Sequence, residues 1–201
     1  MRMKILLVGA SGTLGQAVAA ELGARHDIIA AGRSSATLRL DLTRSDSIAR
    51  GLGSAGPFDA IVSAAGHVAF APLLQLSPAQ WQESLSDKLM GQVNLALLGV
   101  PHLADGGSIT LTTGILSEQP IRNGTAATLV NAALEGFVRS AALELPRGIR
   151  INAVSPSVLV EAMPRYGPFF PGFEPVPAAR AALAFARSVE GGETGRTFRV
   201  H

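Results

Sequence analysis

Residues 4–18, KILLVGASGTLGQAV, limit the fold more than any other part of the chain. A five-residue apolar run of strand length ends in a turn with glycines at 9, 12 and 15, and helical periodicity begins directly after it. A strand that passes into a helix this abruptly needs glycine, because the backbone must turn tightly and approach neighbouring main chain. The same geometry leaves the first amides of the helix free to bind phosphate. Gly9, Ser11, Gly12, Thr13, Leu14 and Gly15 are therefore expected to cradle the diphosphate of a dinucleotide.

The rest of the chain repeats this alternation. Strands are expected at residues 4–8, 28–31, 38–40, 60–63, 108–112, 149–154 and 197–200, and helices at 13–23, 45–52, 78–98, 126–145 and 178–188. Short apolar strands, mostly followed by helices, predict an α/β protein: a single Rossmann domain over 1–201, with a doubly wound, mostly parallel seven-stranded sheet flanked by helices. Ser45 ahead of Asp46 and the pair Ser77-Pro78 read as helix starts, and Pro146 with Gly148 as the stop of the long helix. Residues 161–177, EAMPRYGPFFPGFEPVP, break the pattern with five prolines and four aromatics. This segment is either a loop plugged onto the body by Phe169, Phe170 and Phe173 or a lid over a substrate.

Composition narrows the functions open to such a fold. Fifteen scattered Arg and two Lys, Lys4 and Lys88, form no basic stripe, so nucleic acid is not an expected partner. With no cysteine, and with His26, His67, His102 and His201 at no ligand spacing, a metal centre is not expected either. No run approaches eighteen apolar residues and the N-terminus lacks a long apolar leader, which reads as a cytoplasmic protein without a membrane span.

The end of strand two selects between dinucleotides. An acid there holds the adenosine ribose hydroxyls when NAD(H) is bound. Here the sequence is IIAAGRSS, with Arg33 and Ser34 where a 2′-phosphate would lie, so NADP(H) is expected over NAD(H). Asp41 and Leu42 after strand three, and SAAG at 63–66 closing strand four, supply further adenine and ribose contacts through Ala64, Ala65 and Gly66.

These motifs resemble those of the short-chain dehydrogenase/reductase family over nearly the whole chain. VGASGTLG resembles its cofactor turn, DLT its adenine-pocket motif, SAAG its N-A-A-G motif, and TGRTFRV its last strand. ALEGFVRSAALELPRGIRINAVSPS, residues 133–157, resembles its most recognisable block, which implies a cofactor contact at Pro156. The resemblance implies catalysis by Ser, Tyr, Lys and usually Asn, in which the tyrosine transfers the proton.

That machinery is absent here. The matching positions hold Ala127 for Tyr, Asn131 for Lys and Gly114 for Ser, with Thr113 one residue earlier, and Lys88 falls at the Asn position. Asn94 copies the local flavour of that Asn motif but sits six residues further along the helix and faces elsewhere. Loss of a positioned general acid lowers rates by about 10²–10⁴. Thr113, Lys88 and Asn131 are the candidate catalytic residues, with Tyr166 and His67 as further possible proton donors.

Three functions remain open: an oxidoreductase with a rebuilt site acting on a small carbonyl or alcohol, a silent NADP(H)-binding redox sensor or assembly protein, or a structural relic without cofactor. A homodimer or homotetramer is expected from the apolar circumference of helix 126–145, and the resemblance implies its pairing with helix 78–98 in a four-helix bundle.

Overall fold

A computed structural model describes residues 2–34 and 37–201. Seven strands form one sheet: β1 Lys4–Val8, β2 Asp27–Gly32, β3 Leu38–Arg39, β4 Phe58–Ser63, β5 Leu103–Thr112, β6 Arg150–Pro156 and β7 Thr197–Val200. Every neighbouring pair is parallel, in the order β3-β2-β1-β4-β5-β6-β7. All seven expected strands are present. β5 starts earlier than its apolar pattern suggested, because Leu103 pairs with Phe58 before the register shifts to Ala60 and Ser108.

Apolar residues fill both faces of the sheet. One core joins Leu6, Val8, Ile61, Ile109 and Ile151 to α2 (Ser45–Ala55), α4 (Gly91–Gly99) and α5 (Thr125–Glu144). The other packs Ile5, Leu7, Val62 and Val154 against α1 (Thr13–Gly23) and α7 (Ala178–Glu190). Burial on both faces explains why these strands read as unbroken apolar runs.

Two of three local expectations change. Ser45 does not cap α2: the helix starts after Arg44 with no side-chain cap, while Arg44 and Arg50 both pair with Asp46. Ser77 does cap α3 (Pro78–Ser84), in a reciprocal box with Gln80. The expected helix 78–98 is interrupted between α3 and α4 by a π-turn at Leu85–Met90, which widens the backbone around Lys88. Such turns insert one residue into the helical period and recur at functional sites.

The segment 161–177 carries a short helix, α6 (Met163–Tyr166), between 3₁₀ turns at Val160–Ala162 and Gly167–Phe169. Its rings gather on Phe70, which lies 5.7 Å from Tyr166 and 5.4 Å from Phe169 between centroids. Glu161 anchors its base by accepting the Ala178 amide at the start of α7. No helix among the described residues is long and apolar enough to cross a membrane.

Candidate active site

The sheet order reverses between β1 and β4, and a crevice opens beyond the C-terminal ends of those strands, the usual ligand position in such sheets. One side of the crevice is the turn after β1. Gly9 has φ +87°, and a Cβ on it would stand 2.7 Å from that of Ala65. A Cβ on Gly15 would meet the Gly9 carbonyl oxygen at 2.0 Å. Gly15 therefore packs beneath the turn, whereas Gly12 is open on the crevice side. α1 follows its N-cap Gly12 with no side-chain cap and no acid in its first turn, so its own first turn leaves the positive end unneutralised.

Two cavities occupy the crevice, of about 460 and 490 Å³, and both are lined by Gly12, Gly66, His67 and Arg165. The second gathers Gly9, Ser11, Arg33, Ser34, Asp41, Leu42, Ala64 and Ala65. A third, of about 310 Å³, continues from Arg33, Leu40 and Asp41 to Arg39, Arg44 and Arg50. Burial works against ionisation at Asp41, but hydrogen bonds from the Thr43 hydroxyl and amide outweigh it and hold the carboxyl below its usual range. Arg39 reaches back to donate to the Arg33 carbonyl, which keeps two guanidinium groups on one rim.

The first cavity collects Thr13, Leu14, Lys88, Thr113, Gly114, Ala127, Asn131 and Pro156, with Phe70, Tyr166 and Phe170 over it. Lys88 is partly buried, and Gly66 packs so closely on it that an added Cβ would stand 3.1 Å from Lys88 Cγ. Loss of hydration lowers its ammonium pKa to about 8, with Asp87 pulling the other way. Its helix is fastened to β5 by buried Gln92, whose amide donates to the Lys88 and Thr112 carbonyls and accepts the Thr112 amide. This staple fixes where Lys88 enters the cavity.

Asn131 is 3% exposed and donates weakly to Gly114 O at 3.5 Å, while its Oδ1 has no partner among the described residues. An unpartnered buried acceptor on a residue that lines a cavity has room in its bonding for a donor such as a ligand hydroxyl. Thr113 reaches the cavity wall, but its hydroxyl turns inward, 3.3 Å from Glu135 Oε1 and 3.4 Å from Val154 O. Glu135, 5% exposed, also accepts from Ser117 at 2.6 Å. The Thr113 hydroxyl is thus engaged within the protein rather than directed into the cavity.

Tyr166, distant in sequence, is brought to the cavity roof. His67 lies at the junction of the two cavities but faces Glu83 at 3.9 Å. Sequence reading missed Gln92 and Glu135, whose partners Thr112, Thr113 and Ser117 lie about twenty residues away, and Arg39 and Arg165, which only the fold brings to the crevice. Among the described residues no cluster of three metal-ligating side chains occurs.

Uncapped amides, an open glycine, a basic rim and the orphan Asn131 Oδ1 together fit a phosphorylated dinucleotide. Residues 9–197 match the family model described as enoyl-(acyl carrier protein) reductase. A crystal structure of a Listeria innocua protein is 51% identical, with TM-score 0.97, and covers 99% of this chain and 100% of its own. A small-chain dehydrogenase solved in complex with NADPH is 25% identical, with TM-score 0.88 over 100% of this chain and 97% of that one. Human L-xylulose reductase is 28% identical over 133 residues, 62% of this chain and 52% of that protein. The chain thus spans about half the length of that reductase, and 66% of an uncharacterised oxidoreductase of Schizosaccharomyces pombe.

Proposed function

The chain belongs to the short-chain dehydrogenase/reductase family, and from that premise we propose that it is an NADP(H)-dependent oxidoreductase for a small carbonyl or alcohol. The observation that carries the reading is the continuous crevice with the glycine turn at its waist and Lys88 and Asn131 in one wall. When bound, the nicotinamide would supply or accept the hydride. Amides at Thr13 and Leu14 would hold the diphosphate, the Gly12 amide being bound to the Gly9 carbonyl, while Arg33, Ser34 and Arg39 would take the 2′-phosphate in the basic basin.

Asn131 lines the first cavity, and its buried, unpartnered Oδ1 would accept a hydrogen bond from a hydroxyl of the nicotinamide ribose. Lys88, poised by desolvation near neutral pH, delivers the proton to a carbonyl oxygen beneath Tyr166 and Phe170. The aromatic segment at 161–177 acts as the lid that keeps water from this reaction. Met90, Leu97, Leu129 and Leu143 are exposed on α4, α5 and the π-turn before α4, which supports pairing of two copies through these helices.

The catalytically silent alternative draws on Ala127 and Gly114 in place of hydroxyl-bearing residues and on the inward turn of Thr113. Equilibrium titration with NADPH, NADP⁺ and NADH separates the possibilities. The proposal requires tight binding of both phosphorylated forms with weak NADH binding, and turnover with some member of a carbonyl panel. Binding of one redox form alone, without turnover, would instead make the protein a sensor.

A further inference from the structure

Arg165 stands at the waist of the crevice, where the two cavities meet. Of the four residues lining both, Gly12 and Gly66 offer only main chain and His67 faces Glu83, so Arg165 brings the full positive charge. It has no ion pair or hydrogen bond among the described residues. Its recorded contact is the Tyr166 ring, 5.1 Å from guanidinium carbon to centroid. That stacking orients a planar donor group without using its N–H bonds. The uncapped start of α1 lines the same waist through Gly12, and Asn131, with its unpartnered, buried Oδ1, lines the first cavity.

Resting on the NADP(H) reading, we propose that Arg165 closes over the diphosphate from the side opposite the glycine turn and latches the lid to the cofactor. A guanidinium can donate two parallel N–H bonds to two phosphate oxygens, and it adds a full charge to the partial charge of the helix terminus. Arg165 and Tyr166 are consecutive on α6, and the Tyr166 ring roofs the other cavity. Fixing Arg165 on the diphosphate therefore fixes the substrate roof, so cofactor binds first and shapes the pocket that follows.

The test compares wild type with Arg165→Met, an exposed position where the fold does not depend on the charge, with melting temperature confirming that the fold is intact. Affinity is measured by calorimetry for NADPH, for 2′-phospho-ADP-ribose, which keeps the diphosphate but lacks nicotinamide, and for 2′-AMP, which lacks the diphosphate. Loss of a charge-assisted bidentate contact predicts about 10- to 100-fold weaker binding of the first two and no change for 2′-AMP. Arg165→Lys should fall between. NADPH should also protect residues 161–173 from protease in wild type and less in Arg165→Met at equal saturation.

Equal NADPH affinity in the two proteins, or an equal loss for 2′-AMP, would overturn the latch. So would unchanged NADPH affinity with loss of phenylglyoxylate binding to the NADP⁺ complex, which would assign Arg165 to a substrate carboxylate. A wild type that binds none of the three nucleotides would remove the cofactor reading itself, a result distinct from any of these.

Discussion

Alanine at Gly12 and alanine at Gly15 separate what the turn does for the fold from what it does for a ligand. Gly12 has φ −76° and ψ 166°, which alanine adopts freely. Its added methyl would find the Gly9 oxygen at 3.5 Å, an ordinary contact, and would otherwise face the crevice. Gly12→Ala should therefore leave stability within about 0.5 kcal/mol of wild type. At Gly15 the methyl would meet the Gly9 oxygen at 2.0 Å and its carbonyl carbon at 2.7 Å, both rigid main chain. α1 must then shift, with a loss of about 1–3 kcal/mol, or roughly 2–4 °C in Tm for each kcal/mol in a chain this long.

Cofactor affinity should order the two differently. The Gly12 methyl would hold phosphate oxygens off the helix amides, and losing one such charge-assisted bond, about 1.5–3 kcal/mol, weakens NADPH about 10- to 150-fold. Fluorescence titration and thermal melting on the same preparations read both quantities. A Gly12→Ala protein that binds NADPH like wild type would refute the phosphate cradle, and one that melts as early as Gly15→Ala would refute the packing argument.

Three further variants probe other parts of the site. Lys88 is cationic below about pH 8, so the reduction rate should be level below that pH and fall about tenfold per unit above it, with oxidation rising through the same range; a profile unchanged in Lys88→Arg would exclude Lys88 as the titrating donor. The Arg33→Ala, Arg39→Ala pair should bring NADPH affinity down toward that of NADH, by about 10- to 100-fold, and equal weakening of both nucleotides would argue against a 2′-phosphate basin. Glu135→Ala removes the acceptor of the Ser117 and Thr113 hydroxyls and should lower urea-measured stability by about 1–3 kcal/mol, with a smaller loss in Glu135→Gln; no change would mean that water replaces the carboxylate.

Much of the scaffold was legible because local chemistry and tertiary structure agree. Strands buried on both faces are uniformly apolar, and the turn at 9–15 announces itself through glycines that main-chain contacts require. Reading failed where a partner is remote or a period changes. A 3.6-residue repeat cannot register the π-turn at Leu85–Met90, so Lys88 was placed by alignment rather than by its helix face. Nothing nearby in sequence discloses that the Thr113 hydroxyl meets Glu135, which reaches it from one turn beyond Asn131 on α5. Chain distance hid the fold of residues 161–177 back onto the crevice, which brings Tyr166 and Arg165 to it.

The central claim is that hydride chemistry survives here with its proton donor moved to Lys88. Single-turnover transfer of deuterium from 4-deuterated NADPH to a carbonyl panel, comparing wild type with Lys88→Met, tests it directly. The account predicts label in the alcohol product from wild type, and a rate lower by about 10²–10⁴ in Lys88→Met with NADPH affinity retained. Bound NADPH with no label transferred to any carbonyl, or equal transfer by both proteins, would contradict it.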